Sequence, residues 1–241
     1  MPKKPLGPFH FQEFKLEHKR SAHKIGTDAV LLAAWLKPME APKRIFDFGS
    51  GSGVISFILA QGFKEAAIEG IEIDHDSWLE AEENRLNNPF KDQVKFHQGD
   101  LLDWDSPHLF DLIVSNPPYF SAQSLAPDKR RAQARSASEK TFMAWMEKLK
   151  SLLTNRGSLA LILPSHNWEN QQVAFAEIGL FPQKICWINH HEGANYSRIL
   201  VELSFKKQET EESSLCLYEG PKSHRRTPAH QKLVADLLLL P

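Results

Sequence analysis

The run Asp47-Phe48-Gly49-Ser50-Gly51-Ser52-Gly53 stands where a β-prone stretch, Arg44-Ile45-Phe46-Asp47-Phe48, gives way to a helical one, Gly53 to Gln61. Glycines at alternate positions let the chain turn sharply from strand to helix, and without Cβ atoms the backbone can approach a ligand closely. This is the opening of a nucleotide-binding α/β fold. The spacing is GxGxG rather than GxGxxG, and no Lys-Ser or Lys-Thr follows, so neither a P-loop nor ATP hydrolysis is expected.

The alternation continues from residue 43 to 205. Strands are expected at Ala67 to Ile73, Val94 to Gln98 and Phe110 to Ser115, with a polar helix from Ser77 to Asn87 that stops near Pro89. Ser136 and Glu139 form a capping box for a helix whose apolar residues Phe142, Trp145, Met146, Leu149, Leu152 and Leu153 share one face. Gly157 to Leu163 reads as a strand, Val173 to Ile178 as a helix, and Phe181 to Ile188 and Ile199 to Phe205 as two strands joined by the loop His190 to Ser197. No helical pattern separates that last pair, so it should be antiparallel. The expected fold is α/β, a Rossmann-like doubly wound sheet, mostly parallel with a C-terminal antiparallel strand. Residues 1–42 form an N-terminal extension packing on the ligand site, with a helix capped by Thr27 or Asp28, and residues 206–241 form a polar tail, all in one structural domain.

Composition narrows the class. At 241 residues, 41% hydrophobic and 24% charged, the chain can bury a core without staples. Cys186 and Cys216 are far apart and have no CxxC partner, as expected of small buried side chains in a reducing compartment. The longest apolar run, Ala29 to Leu36, is too short for a membrane span, and the opening Met1-Pro2-Lys3-Lys4-Pro5 leads into no apolar signal region, so a cytoplasmic address is expected. The net charge of −1 gives no global case for nucleic acid, which leaves local clusters.

Carboxylates follow the successive strands. Glu72, with Asp74 as its rival, lies where such folds place the acceptor for ribose hydroxyls, and Asp100 can accept from an adenine amino group. These acids suit a nucleoside without a run of phosphates.

After the fourth strand comes Asn116-Pro117-Pro118-Tyr119. Two prolines stiffen the backbone and remove two N–H donors, so the Pro117 carbonyl and the Asn116 side-chain oxygen can act as acceptors. Two acceptors without a general base suit a planar NH2 group. Holding both hydrogens draws the nitrogen towards tetrahedral geometry and returns its lone pair for attack, while Tyr119 can stack on the ring that carries the amine.

With Asp47 to Gly53 and this tetrapeptide, the chain resembles the class I S-adenosylmethionine-dependent methyltransferases that act on amino groups. These modify adenine N6, cytosine N4 or, in one branch, the glutamine amide of release factors. The stretch from Phe9 to Phe14 and the stretch from His18 to Trp35, which includes Lys24-Ile25-Gly26-Thr27-Asp28, are similar to the N-terminal segment of the bacterial valine-tRNA adenine-37 N6-methyltransferases. The resemblance implies that Asp47, Gly49, Gly51, Gly53, Glu72, Asp100 and Asn116 bind S-adenosylmethionine, with Lys24 and Thr27 near its methionine end. It also implies that Asn116 to Tyr119 hold the target adenine, with Asn116, Pro117 and Tyr119 as the catalytic residues.

The expected partner is tRNA, with no membrane and no metal, and the chain acting as a monomer. Lys129, Arg130, Arg131 and Arg135 follow the tetrapeptide in a stretch too polar to be core and are the first candidates for phosphate contacts. Lys15, Lys19, Arg20 and Lys24 form a second cluster, Lys222, Arg225 and Arg226 a third, and the loop with His190, His191, Asn195 and Arg198 a weaker one. Glutamine methylation in a release factor is the nearest rival, because it uses the same tetrapeptide. It needs no basic surface. A silent nucleotide-binding module is a further rival, but a binder has no use for amine acceptors.

Overall fold

The computed structural model describes residues 7–21, 24–36, 40–117 and 129–239, with 129–139 in backbone only. Strands β1 (Phe9–His10) and β2 (Lys15–Leu16) pair as a short antiparallel hairpin ahead of helix α1 (Thr27–Trp35). Then come β3 (Arg44–Phe48), α2 (Val54–Gly62), β4 (Ala67–Glu72), α3 (His75–Leu86), β5 (Val94–Gln98), β6 (Phe110–Ser115), α4 (Lys129–Ser151) and β7 (Leu153–Pro164). The chain continues through α5 (Trp168–Glu177), β8 (Phe181–His191), β9 (Tyr196–Ser204), β10 (Glu211–Tyr218) and α6 (Pro228–Val234).

Eight strands form one sheet in the order β10-β8-β9-β7-β6-β3-β4-β5. The five strands from β3 to β7 are parallel, and β9 runs antiparallel to both β7 and β8, as the missing helix between the last two expected strands requires. Successive residues such as Ile45 and Phe46 enter the cores on opposite faces of the sheet. One core joins the sheet to α1, α2 and the C-terminal segment, and the other lies beneath α4 and α5. Among the described residues, no helix is long and apolar enough to cross a membrane. Cys186 is buried, Cys216 partly so, and both are free thiols.

Three local expectations change. Helix α1 has Gly26 at its N-cap with no side-chain bond, so neither Thr27 nor Asp28 caps it. Asp28 lies in the first turn, where a carboxylate suits the helix dipole, and pairs with Arg198 at 3.0 Å. Ser136 falls within α4 rather than at its start, because the preceding Lys-Arg-Arg-Ala-Gln-Ala-Arg run is made of strong helix formers. Strand β7 begins at Leu153, not Gly157, and the pairing shifts register between Phe110 and Leu112. A Cβ on Gly157 would stand 2.8 Å from the Phe110 carbonyl, which accounts for a glycine at this irregularity.

The largest difference lies past Lys206. The segment read as a polar tail carries β10, parallel to β8, and α6, capped by Thr227 with Pro228 following. Only Leu215 and Leu217 of β10 are buried, too few for the alternation to stand out in the sequence. This segment also grips the N-terminal hairpin. Phe11 bridges Leu238, and Gln12 Nε2 donates to the carbonyls of Ala235 at 2.5 Å and Leu238 at 3.0 Å.

Candidate active site at the carboxyl edge of the sheet

The carboxyl ends of β5, β4, β3 and β6 stand side by side, so Gln98, Glu72, Phe48 and Ser115 reach the same edge. The order reverses around β3, whose neighbours are the next strand in sequence on one side and the later β6 on the other. Open α/β sheets take ligands at such a crevice. Adjacent strands therefore bring the glycine turn and Asn116 together, although 116 − 53 = 63 positions of sequence and three crossover connections separate Gly53 from Asn116.

Gly49 and Gly51 adopt φ of 71° and 54°, in the left-handed region open to glycine. A Cβ at either would meet nothing within 4 Å, so the backbone of the turn borders open space. Gly53 differs: a Cβ there would lie 2.7 Å from the Phe96 ring and 2.8 Å from Phe57, so it secures close packing of α2 on the sheet. Gly70, which sequence reading missed, has a similar role from β4. A Cβ on it would come 2.7 Å from Phe96 and 2.9 Å from the Ser50 side chain, and only its position beneath the turn reveals this.

Asp47 lies fully buried under the turn. Its Oδ2 accepts from the Ser56 backbone N–H at 3.1 Å and the Ser56 hydroxyl at 2.7 Å, while Oδ1 has no partner among the described residues. Burial raises its pKa to about 7 against the opposing pull of the Ser56 bonds. Glu72 spans the turn and the start of the next helix, accepting from Gly51 N–H at 2.8 Å through Oε2 and from Asp74 N–H at 2.9 Å through Oε1. Asp74 caps α3, its Oδ1 bound by the hydroxyl of Ser77 at 2.7 Å and the amide at 2.9 Å, which hold its carboxyl below the usual range. Asp100 begins a short 3-10 turn and accepts from Leu102 N–H at 2.9 Å. Next to these acids, Ile73 is 67% exposed and Leu102 43% exposed. Two apolar side chains in water beside two carboxylates are a feature that burial reveals and sequence reading passed over.

An open glycine cradle, an unpartnered buried carboxylate oxygen beneath it and acids at successive strand ends fit S-adenosylmethionine. Its nucleoside offers hydroxyl and amino donors to the carboxylates, and its positive charge sits on the sulfonium and ammonium of the methionine part.

At the end of β6, Ser115 is fully buried and its hydroxyl donates to the Phe48 carbonyl at 2.8 Å. Asn116 follows, partly buried, and Pro117 is buried. Pro118 and Tyr119 lie outside the described residues, as do the side chains of Lys129, Arg130, Arg131 and Arg135, whose backbone forms the first turns of α4.

The N-terminal segment is fastened over α3. Glu80, 1% exposed, accepts from the backbone amides of Lys19 at 2.6 Å, Arg20 at 2.9 Å and Ser21 at 2.8 Å, and from the Ser21 hydroxyl. Burial acts to raise its pKa, but these bonds outweigh it and hold the carboxyl below its ordinary value. Asn84 binds both Glu17 backbone groups and donates to the Ser52 carbonyl at 3.0 Å, joining the segment to the glycine turn. Lys24 turns its ammonium to the carbonyls of Lys19 at 2.7 Å and Ser21 at 3.2 Å. Thr27 lines a cavity of about 130 Å³ with Tyr218, Arg226 and His230. Arg198, besides pairing with Asp28, donates to the Ser197 carbonyl at 2.9 Å. Among the described residues, no group of three or more His, Cys, Asp or Glu side chains is placed to hold a metal ion.

Comparison with known proteins agrees with this geometry. Solved structures that share the fold include the Agrobacterium tumefaciens protein Atu636, described as a predicted O-methyltransferase, at TM-score 0.65 and 21% identity, covering 87% of this chain and 96% of that one. The ribosomal protein L11 methylase from Lactobacillus delbrueckii subsp. bulgaricus follows at TM-score 0.52 and 18% identity, covering 74% and 77%. In sequence, residues 20–172 match the methyltransferase small domain family. A Tolumonas auensis protein named tRNA1(Val) (adenine(37)-N6)-methyltransferase is 38% identical over 88% of this chain and 89% of its own. One of the same name from Bacteroides thetaiotaomicron is 32% identical over 83% and 84%. Similarity at that level, carried through nearly the full length of both chains, leaves one conclusion: the chain belongs to the methyltransferase small domain family, alongside proteins named tRNA1(Val) (adenine(37)-N6)-methyltransferase.

Proposed function

We propose that the protein methylates N6 of an adenine in tRNA, adenine-37 in the anticodon loop of a valine tRNA, with S-adenosylmethionine as the methyl donor. The observation that carries the reading is Asn116-Pro117 at the end of β6, next to the glycine turn at the end of β3, in a chain whose relatives bear that activity in their names.

Gly49 and Gly51 shape the cradle, Gly53 seats α2 closely enough for the turn to form, Glu72 takes donors from the bound cofactor, and Asp47 supports the turn from beneath. Glu72 is preferred to Asp74 for the ribose because it is bonded to the glycine turn itself, through Gly51 N–H, whereas Asp74 is turned to the start of α3. Asp100 faces the adenine amino group, with Ile73 and Leu102 covering the ring. Lys24 and Thr27 lie towards the methionine end. S-adenosylmethionine supplies a methyl group on a sulfonium, an electrophile that needs no further activation. The chain's task is therefore to make a poor nucleophile attack. Asn116 Oδ1 and the Pro117 carbonyl accept both N6 hydrogens, which draws the nitrogen out of conjugation and localises its lone pair. Tyr119 stacks on the base, and the proton shed by the methylated nitrogen passes to solvent.

A loop base costs only a few kcal/mol to unstack, within what stacking and phosphate contacts from the 129–135 cluster and Arg198 can offset. The same reading has the protein act as a monomer in the cytoplasm. The test is transfer of tritiated methyl groups from S-adenosylmethionine into total tRNA, with nucleoside digestion, beside release factor as a competing acceptor. Label in N6-methyladenosine is expected, and label in protein glutamine instead would overturn the reading.

A further inference from the structure

The reaction engages one end of the sheet edge. Because β8 and β10 run parallel to β7, their carboxyl ends, His191 and Tyr218, reach the same edge as Asn116. Between them lies an open groove of about 410 Å³, lined by Asn189, Glu192, Tyr196, Ser214, Cys216, Tyr218, Glu219 and Thr227. It is three to four strands from β6, roughly 14 to 19 Å along the edge at the usual strand spacing. Tyr218 also walls the smaller cavity that holds Thr27, so the groove adjoins the N-terminal segment through one shared side chain.

The lining combines a flat aromatic platform with acceptors. Tyr196 is 48% exposed, its ring tilted against Trp187 at 5.7 Å, while His190 packs on Tyr218 at 4.8 Å. Asn189 donates one amide hydrogen to the His191 carbonyl at 2.9 Å, which fixes the side chain and leaves Oδ1 as an acceptor beside the second N–H. Glu192 is exposed, and Glu219 is drawn off by Arg225 at 3.4 Å. Exposed Arg225 neighbours the groove through Glu219, and half-buried Arg226 lines the adjoining smaller cavity. Aromatic faces stack on any base, acceptors match exocyclic amino groups, and neighbouring cations suit phosphate.

We propose that this groove is a second RNA subsite, which takes an unpaired, amino-bearing nucleobase of the same RNA, stacked on Tyr196 and read by Asn189 and Glu192. The subsite rests on the reading of the substrate as tRNA and extends it: the methylated adenine and a second loop base are held at two points of one edge, which sets the register of the RNA.

The test compares Tyr196→Ala and Tyr196→Phe in the full chain. Loss of one stacked base should raise KM and Kd for tRNA about tenfold in Tyr196→Ala. kcat at saturating tRNA, S-adenosylmethionine affinity and Tm should stay near wild type, and Tyr196→Phe should restore RNA affinity. Glu192→Gln should weaken RNA binding as well, whereas a phosphate-repelling carboxylate would strengthen it on removal. Unchanged tRNA Kd in Tyr196→Ala overturns the subsite, as does a fall in cofactor affinity or Tm that matches the loss. Filter binding of tRNA reads the groove without turnover, so failure of wild type to methylate tRNA would strike the proposed activity and leave this outcome separate. Unchanged RNA affinity with a raised KM for a protein acceptor would assign the groove to peptide and overturn it.

Discussion

The hydroxyl of Ser115 donates to the carbonyl of Phe48 at 2.8 Å, deep in the sheet, and so ties the strand that leads to Asn116 to the strand that leads to the glycine turn. Ladder bonds alone set the two strands in register, and this bond adds a tether at the point where both leave the sheet. Ser115→Ala should retain S-adenosylmethionine affinity and lose roughly tenfold in kcat, since small displacements of aligned groups are costly. Single-turnover kinetics at saturating cofactor measure it, and an unchanged rate would show that the ladder suffices.

Asn116 bears on the chemistry directly. Asn116→Ala should lose at least about 10²-fold in turnover while still binding cofactor. Calorimetric titration with S-adenosylmethionine beside steady-state rates separates the two. Wild-type turnover would remove the amine-acceptor mechanism.

Asp47 gives the cofactor-free protein a distinctive pH dependence. Its pKa is raised by burial from the ordinary 3.8 to about 7, so the folded state holds a proton that the unfolded chain releases. The resulting stability is fully present below pH 4 and is lost as pH rises through about 7, by up to about 1.4 kcal/mol per pH unit. Asp47→Asn should flatten that dependence of Tm between pH 4 and 7. The same variant should bind S-adenosylmethionine more weakly at pH 8, where the wild-type carboxylate is charged.

Glu80 supplies acceptors that nothing else nearby can replace. Glu80→Ala strands three backbone amides and a hydroxyl, and should cost about 2 to 4 kcal/mol in urea unfolding. Glu80→Gln, which keeps an oxygen, should recover part of the loss. Because Asn84 connects the same segment to Ser52, both variants should also raise KM for S-adenosylmethionine more than KM for tRNA.

Charge reversal at Arg130 and Arg131 should weaken tRNA binding and make its salt dependence shallower, by a slope of about one for each phosphate that is no longer neutralised. Affinity measured across a salt series checks this, and an unchanged slope would take the cluster out of the RNA surface.

Much of the frame is readable in the sequence alone. The short β-prone runs of β3, β4, β5 and β6, each followed by a helical or polar stretch, announce a parallel sheet because residue-type preference is a local property. The missing helix between β8 and β9 points to the antiparallel pair for the same reason. Local signals mislead where two structures share one signature: Ser136 with Glu139 spells a helix start, yet the residues before it are helix formers and α4 runs through them. β10 is not legible because only two of its side chains are buried, and its existence depends on the open edge of β8, which no window of sequence contains.

The site divides along the same line. Glycines whose φ is positive, and prolines that remove donors, act through their own backbone, so Gly49, Gly51 and Asn116-Pro117 declare themselves in a one-dimensional string. Gly70, Glu80, Asn84 and Ser115 do not, because each matters for what it meets across tens of residues: Ser50, Ser21, Ser52 and Phe48. Spacing does not separate Glu72 from Asp74, since both stand at the end of β4; what the structure adds is that Asp74 is bonded by Ser77 as the α3 cap while Glu72 is bonded to the glycine turn at Gly51. Chemistry written in backbone freedom and residue type belonged to the chain itself; the alignment of distant groups into one edge had to wait for strand order, because hydrogen bonds between strands and packing across the sheet are what bring those groups within reach.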